Sequence, residues 1–404
     1  MAIATGVAKQ IRVKAESTWG TAPGASGAQL LRRVSSNLDL KKATYESAEI
    51  RADYQVSDFR HGVRSVDGTI SGEPSPGTYQ MFLDAACRRA STAVTAITSL
   101  SLTIAASGSN YTVTRSAGDF LTGGIRAGMV VAITAGSVNA NTLNARLLVI
   151  SATSTVLTVS PLNGATLTAE GPIASCTLTV PGKYTYVPTS GHTDPSFSIE
   201  HWFSDISKSE LFTGCKVNTV GLQLPPSGIA KVDFGFMGKD ITTATSAYYT
   251  SPTAATTSGV LAAVNGIVSI GGTRVATLTG LTINVNGGMT ADAVVGSNTY
   301  PDIFEGRVRV SGQFTAYFED TTLRDLFINE TEAELLAVFS TSNDKAAEFM
   351  SFALPRIKTG GASKDDGEKG IVQTIPFTAL IPASGGSGYD NEQTTLMIHD
   401  SLAA

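Results

Sequence analysis

The sequence predicts a mainly β protein in which one strand-rich unit with a short helix occurs twice, and a small all-β domain interrupts the first copy. One reason is internal repetition, because short patterns recur at nearly constant separations: Leu38 and Leu40 as Leu281 and Ile283, and Gly62, Val66, Gly68 and Ile70 as Gly306, Val310, Gly312 and Phe314. The other is composition. Charged residues make up only 16% of the chain, below the roughly 25% typical of soluble domains, and 40 glycines accompany abundant Thr and Ser. Such a composition favours sheets with many turns.

The elements of the first copy follow from periodicity and turn residues. Residues 31–40 and 62–71 read as strands, and residues 41–61 between them predict a polar loop longer than a hairpin requires. Apolar residues at helical spacing predict a helix over residues 78–90. Residues 215–224 and 229–237 predict two closing strands.

The second copy repeats this order. Strands are predicted over residues 275–285 and 306–318, with a long loop over 286–305, a helix from Thr321, and closing strands over 348–357 and 370–380. Each copy is therefore expected to be a small β-sandwich or barrel with one helix packed on it.

The domain boundaries come from a change in the repeat separation. Residues 228–234 match residues 370–377, but at a much smaller separation than the earlier patterns, which indicates an extra segment inside the first copy. We assign residues 1–92 and 189–241 to the first copy, 93–188 to an inserted small β domain on the exterior, 242–259 to a polar linker, and 260–404 to the second copy. Because the insertion has no counterpart in the second copy, its removal is expected to leave the repeated fold closed.

Composition also excludes several classes of protein. No apolar run approaches the roughly 18 residues that span a bilayer, and charges at Lys9, Arg12 and Lys14 are unlike a signal peptide, so a cytosolic, unprocessed chain is expected. Three widely spaced cysteines predict neither a disulfide framework nor a zinc site. The net charge of −5 is concentrated in the C-terminal half, which argues against tight nucleic-acid binding.

No catalytic or metal-binding constellation emerges, so an enzyme, a cofactor and a metal are not expected. His61, His192, His201 and His399 lack triad or ligand spacing. The acidic residues 365–368 lack the order of a calcium loop, which favours a solvated turn. The adjacent Glu319 and Asp320 could suggest a glycosidase pair, but their position before a helix favours capping.

Several of these segments together resemble the tail tube proteins (major tail proteins) of long-tailed bacteriophages, of the siphophage type. The resemblance rests on Glu16-Ser17-Thr18-Trp19-Gly20-Thr21 near the N-terminus, on residues 62–70 before the first helix, and on residues 306–320, 354–358 and 370–380 in the second copy. It covers about three quarters of the chain and concerns structural residues, since no catalytic fingerprint is involved.

The resemblance implies a subunit that stacks in rings to form a hollow tube, through which the genome passes from capsid to host. Rings of the family usually show six tube folds, so two copies per chain favour a trimer over a hexamer. The implied partners are other copies of the chain, the tape measure protein, and tail terminator or distal tail proteins. DNA would pass through the lumen without specific binding, and the subunit would be a virion component assembled in the host cytoplasm.

The two long loops are the candidate contacts between rings, because both exceed hairpin needs and occupy the same place in their copies. The candidate residues are Lys41, Lys42, Glu46, Glu49, Arg51, Asp53, Asp58, Asn286, Asp292 and Asp302. A secreted or surface carbohydrate-binding protein is the alternative, since it would also be β-rich and low in charge. Aromatic residues are only 7% of the chain, which disfavours it.

Overall fold

The computed structural model describes residues 3–382 and 393–403. Over these ranges strands dominate and the two α-helices are short, so the mainly β fold class is confirmed.

The elements up to residue 244 are these, in chain order. The N-terminal region contains β1 (Lys9–Ala15), β2 (Gln29–Leu31), β3 (Ser35–Ser36), β4 (Asp39–Glu46), β5 (Phe59–Gly72) and α1 (Gln80–Cys87). There follow β6 (Ile97–Ser107), β7 (Asn110–Arg115), β8 (Val130–Ala135), β9 (Leu147–Ala152), β10 (Val156–Pro161), β11 (Glu170–Thr179) and β12 (Lys183–Tyr186). Next come β13 (Phe197–Phe203), β14 (Lys208–Leu224), β15 (Lys231–Gly238) and β16 (Asp240–Ala244). We call β1 to β5, α1 and β13 to β16 the first half.

The remaining elements form the second half. They are β17 (Gly266–Ile270), β18 (Thr273–Arg274), β19 (Leu278–Asn286), β20 (Arg309–Tyr317), α2 (Thr322–Ile328), β21 (Ala333–Ser340), β22 (Phe349–Thr359), β23 (Ser363–Lys364), β24 (Val372–Ala379) and β25 (Met397–Asp400).

One large sheet runs through both halves, and its strand order repeats. In the first half β4 pairs with β5, β5 with β15, and β15 with β14. In the second half β19 pairs with β20, β20 with β24, and β24 with β22. All these pairs are antiparallel, and β14 pairs with β19, so the two groups form a continuous sheet. The repeat in the sequence thus has a counterpart in the strand topology.

A second layer of strands covers one face of this sheet. The N-terminal half of β14 lies between β13 and β16, and that of β22 lies between β21 and β25. β1 continues the layer beside β13, as β17 does beside β21. Apolar side chains from both layers form one hydrophobic core, so each half is a sandwich whose longest strand belongs to both sheets.

The inserted segment forms a third layer. β6 to β11 close into a six-stranded barrel in the order β10-β7-β6-β11-β8-β9. Met129 of the barrel belongs to the same hydrophobic cluster as Leu336 and Val338 of β21. The neighbouring Leu335 belongs to the sandwich core instead. The second layer of the second half therefore lies between the large sheet and the barrel, and it shares a hydrophobic core with the barrel.

The segment between the halves, predicted as a polar linker over residues 242–259, is held against the first half. Its first residues complete β16, which pairs with β14. Tyr249 is fully buried. Thr253 donates a backbone hydrogen bond to Ala28 (2.7 Å) and accepts one from Leu30 (2.9 Å). These contacts make the segment an ordered strap.

Element bounds differ from the predicted ones where the side-chain pattern carries no information. β4 continues to Glu46 and β5 begins at Phe59, so the predicted loop 41–61 is in large part a projecting hairpin with its turn at residues 47–58. The predicted strand 31–40 is divided among β2, β3 and β4, and α1 is shorter than the predicted helix 78–90.

Strand pairing also corrects the alignment of the repeat. Val66 faces Leu40, whereas its counterpart Val310 faces Val285 and not Ile283. Leu40 therefore corresponds to Val285. A shift of two residues keeps each side chain on the same face of the strand, so alternation of apolar residues could not reveal it.

Candidate functional site

The large sheet has one apolar face and one polar face. Along β15, Val232, Phe234 and Phe236 are buried in the core, while Lys231 and Asp233 point to the opposite face. Directly paired residues share a face, so the strand registers extend this division across the sheet. The polar face carries Thr69, Ser71, Thr219, Gln223, Thr282, Asn284, Ser311, Gln313, Thr374 and Thr378.

Charged side chains on the polar face have both signs. They include the acidic Asp39, Asp67 and Asp233 and the basic Lys41, Lys231, Arg309 and Lys358. Lys41 Nζ lies 2.5 Å from Asp67 Oδ2, and the Ser71 hydroxyl donates to Asp233 at 2.5 Å. The face therefore presents hydrogen-bonding groups without a strong net charge.

The seam where the two halves meet is a regular β-ladder. Thr219 to Leu224 of β14 pair with Asn286 to Leu281 of β19. Beneath this ladder, Val220 and Ile283 are buried with Phe352 of β22 and Ile398 of β25. The first half is thus joined to the second by both backbone hydrogen bonds and apolar packing.

Two cations of the first half fasten the second long loop at this seam. Lys216 is buried, and its Nζ lies 3.2 Å from Asp302 Oδ1 and donates to the Ile303 carbonyl at 2.9 Å. Arg88, just after α1, donates to the carbonyls of Gly306 (2.7 Å) and Gly287 (2.9 Å). Neither cation was singled out from the sequence, because their partners lie far away along the chain.

The candidate contact residues of the first loop lie on the projecting hairpin. Lys41, Lys42 and Glu46 belong to β4, whose side chains are almost all exposed. Glu49, Arg51, Asp53 and Asp58 lie in its turn, where Arg51 pairs with Asp53 at 2.8 Å. Five apolar residues of the hairpin are also more than half exposed: Tyr45, Ile50, Tyr54, Val56 and Phe59. Sequence reasoning found the charged residues and missed this apolar set.

The candidate contact residues of the second loop are in a different situation. Asn286 ends β19 on the polar face, Asp292 is exposed, and Asp302 is held by Lys216. The loop also accepts a hydrogen bond at the Asn298 carbonyl from the backbone N–H of Arg64 in β5 (2.9 Å). The second loop is thus docked on the first half, while the first loop projects freely from it.

The large sheet has two edges. Among the described residues, β4 pairs with β5 alone, and β23 pairs with β24 alone. In the repeated strand order, β4 occupies the place of β19. β23 follows β22 and pairs with β24, so it occupies the place of the C-terminal part of β14, which pairs with β15. The two unpaired edges are therefore the counterparts of the two strands that join at the seam.

The N-terminal motif has a structural role. The Glu16 carboxylate accepts hydrogen bonds from the backbone N–H of Gly20 and of Gly214, both at 2.8 Å, and from the hydroxyls of Ser196 and Ser198. Trp19 Nε1 donates to the Gly214 carbonyl at 3.1 Å. These contacts attach the segment after β1 to β13 and β14.

Three of the groups weighed for catalysis make structural contacts. His399 is fully buried, its Nε2 donates to the Pro181 carbonyl (2.6 Å), and burial lowers its pKa to about 4. His201 is also buried, which lowers its pKa. Asp320 accepts from the backbone N–H of Thr322 at the start of α2, as the capping interpretation expects.

Within residues 3–382 and 393–403, no group of three or more His, Cys, Asp or Glu side chains is arranged to hold a metal ion. In the same ranges, no helix has the length and apolar character needed to cross a membrane.

Comparison with known protein families gives a match over most of the chain. The sequence model of a family described as phage tail tube protein matches residues 6–379, which is most of the chain. No curated protein matches the sequence.

Proposed function

The chain belongs to the phage tail tube protein family, and from this premise we propose that it polymerises as stacked rings into the hollow conduit for genome delivery. Members of this family are structural components of the virion tail.

The observation that carries the proposal is the ladder between β14 and β19. Within one chain it joins two sheets of the same strand order side by side. The exposed edges β23 and β4 stand in the same positions, so β23 of one chain would pair with β4 of the next as β14 pairs with β19. Each new strand pairing would provide hydrogen-bond partners for the backbone N–H and C=O groups of the edge strands, which otherwise promote aggregation.

Three chains joined in this way supply six sheets and close a ring. The two halves of a chain occupy adjacent places in that ring, which is what a trimer with approximate sixfold symmetry requires. This proposal includes the division into domains. Residues 1–92 and 189–241 together form one domain, residues 260–404 form the other, and each domain fills one of the six places in the ring.

The polar face of the large sheet would line the lumen. It carries small polar side chains and balanced charges, so a passing DNA duplex would find few cations to neutralise its phosphates. The barrel of β6 to β11, which makes up most of the predicted domain 93–188, lies on the far side of the second layer, so it would be on the tube exterior.

Rings would stack through the tips of the long loops. The proposed contacts are Glu46, Glu49, Arg51 and Asp53 on the hairpin and Asp292 on the second loop. At the tube ends the partners would be tail terminator or distal tail proteins, with the tape measure protein inside during assembly in the host cytoplasm.

A labelling experiment tests the orientation of the sheet. Gln313→Cys places a thiol on the polar face, and the exposed Ser107→Cys places one on the barrel, while Cys87, Cys176 and Cys215 are buried. A maleimide on a globular carrier protein should label both variants as free subunits. In assembled tubes it should label Ser107→Cys alone, whereas equal labelling of Gln313→Cys would contradict a luminal polar face.

A further inference from the structure

The seam inside the chain has an exposed counterpart at the two ends of the sheet, and strand registers identify its residues. In the first half, Gly68 faces Phe236 of β15, and Phe236 faces Val217 of β14. Lys216, the buried cation of the seam, directly precedes Val217.

The second half contains the same arrangement. Gly312 faces Phe377 of β24, and Phe377 faces Thr359 of β22. The residue directly before Thr359 is Lys358. Lys358 therefore occupies the position of Lys216, and both are lysines.

Lys216 contacts two carboxylates, Asp194 of the first half and Asp302 of the second loop, and the second of these is repeated. Asp302, which binds Lys216, precedes Gly312 by the same number of residues as Asp58 precedes Gly68. The residue after each aspartate is apolar, Ile303 in the second loop and Phe59 on the hairpin.

The two sets differ in exposure. Ile303 is 2% exposed at the seam, whereas Phe59 is 54% exposed. The Lys216 side chain is 2% exposed, whereas that of Lys358 is 41% exposed. The apolar side chain and the lysine that are buried at the seam thus have exposed counterparts at the two ends of the sheet.

We propose that Lys358 of one chain binds Asp58 of the next chain in the ring, and that Phe59 of this next chain is buried in the contact as Ile303 is buried within the chain. The partner is a second copy of this protein, and the inference rests on the proposed ring. It assigns the end of the hairpin turn, at Asp58 and Phe59, to contacts within a ring, and leaves the middle of the turn for the neighbouring ring.

The charges around Lys358 and Asp58 support a second copy of this chain as the partner. The two helices end alike, with Arg88 and Glu330 both in the left-handed conformation after the last turn. At the seam, Arg88 Nε lies 3.3 Å from Glu305 Oε1. The counterpart of Glu305 is His61, beside the basic Arg60. Arg88 contacts the acidic Glu305 at the seam, whereas Glu330 would contact the basic Arg60 and His61 of the next chain. The charges are therefore complementary at both junctions, although their signs are exchanged.

A zero-length cross-link tests the contact in assembled tubes. A carbodiimide joins touching amines and carboxylates, and tubes grown from mixed heavy- and light-isotope chains reveal which products link two chains. We expect a Lys358–Asp58 product between chains in tubes, and only the Lys358–Glu330 product, whose groups are 2.8 Å apart, in free subunits. Lys358→Arg keeps the charge, so it should assemble normally and lose both products.

Charge reversal provides a second, independent readout. Asp58→Lys and Lys358→Asp should each reduce the yield of rings in native mass spectrometry by about tenfold or more, and the double reversal should restore it. Glu49→Lys, an equal charge change at the hairpin tip, should leave ring formation intact.

The outcomes separate this inference from the proposed function. If wild-type tubes form but Lys358 is linked between chains to another residue, or the reversals do not alter ring yield, the contact is wrong and the tube function stands. If the wild-type chain forms neither rings nor tubes, both are contradicted.

Discussion

Arg12 Nη1 lies 3.5 Å from Glu200 Oε2, and the Glu200 side chain is completely buried. Glu200 also accepts hydrogen bonds from the Ser209 hydroxyl (2.6 Å) and from the backbone N–H of Tyr248 (2.5 Å). Arg12 in turn donates to the Tyr249 carbonyl at 2.7 Å. One buried carboxylate thus connects β1, β13 and β14 with the strap between the halves.

Removing the cation should leave this carboxylate charged and unpaired. We expect Arg12→Leu to lower the free energy of unfolding by about 3–5 kcal/mol, because a buried charge loses its partner. Lys41→Leu is the matched control, since the Lys41–Asp67 pair is largely exposed and its loss should cost less than about 1 kcal/mol. Urea denaturation of both variants measures the difference, and equal midpoints would refute the role assigned to Arg12.

The buried His399 should make stability depend on pH. Its folded pKa, about 4, is below the usual value near 6.5 because burial disfavours the charged ring. Its contribution to the free energy of unfolding is therefore complete above about pH 6.5 and declines as the pH falls toward 4. The neighbouring Asp400 acts in the opposite direction: burial raises its pKa to about 6, so its contribution is lost as the pH rises from about 4 through 6.

Comparison with His399→Gln isolates the histidine from these opposing effects. Between pH 7 and pH 4.5, the wild-type protein should lose more unfolding free energy than the variant, since only the wild type must bury or expel a protonated ring. Parallel stability curves for the two proteins over this range would show that His399 does not carry the effect.

Excision of the barrel should destabilise the chain. The sequence alone suggests that the repeated fold closes without it, but Leu336, Val338 and Phe349 of the second half share the barrel's hydrophobic core. A chain with residues 94–183 replaced by a short Gly/Ser linker would expose these side chains. We expect a lower melting temperature and aggregation, measured by thermal scanning and light scattering. An unchanged melting temperature would show that the shared core is dispensable.

The hairpin turn offers the reverse case, where a deletion should spare the fold. Residues 48–57 are exposed and make no contribution to the described cores. Replacing them with a two-residue Asn-Gly turn should therefore leave the melting temperature unchanged while blocking tube growth at the ring stage. Electron microscopy showing tubes of normal length would remove the hairpin tip from the stacking contacts.

The comparison of sequence and structure shows which signals carried information. Regular alternation located β15 and β20, because one face of each lies on the core. It failed for β4, where nearly every side chain is exposed and no apolar period exists. The strap around Tyr249 was also missed, since its Thr- and Ser-rich composition is that of a flexible linker and its order comes from contacts with β1 and β13.

The candidate site was predictable only in part. The repeat in the sequence located both long loops, but the docking of the second loop depends on the Lys216–Asp302 contact between distant segments. Likewise, nothing in the sequence around Gln223 or Thr282 indicates that these residues face each other across the joint between the halves. Long-range pairing of this kind follows from topology, and local propensity does not encode it.

The central claim is that two halves of one chain occupy neighbouring places in a ring, joined as β14 joins β19. A cryo-EM reconstruction of the assembled tube measures this directly. We expect three chains per ring with approximate sixfold symmetry, β23 of each chain paired with β4 of the next, and the polar face toward the lumen. Six chains per ring, or the two halves of one chain in successive rings, would contradict the account.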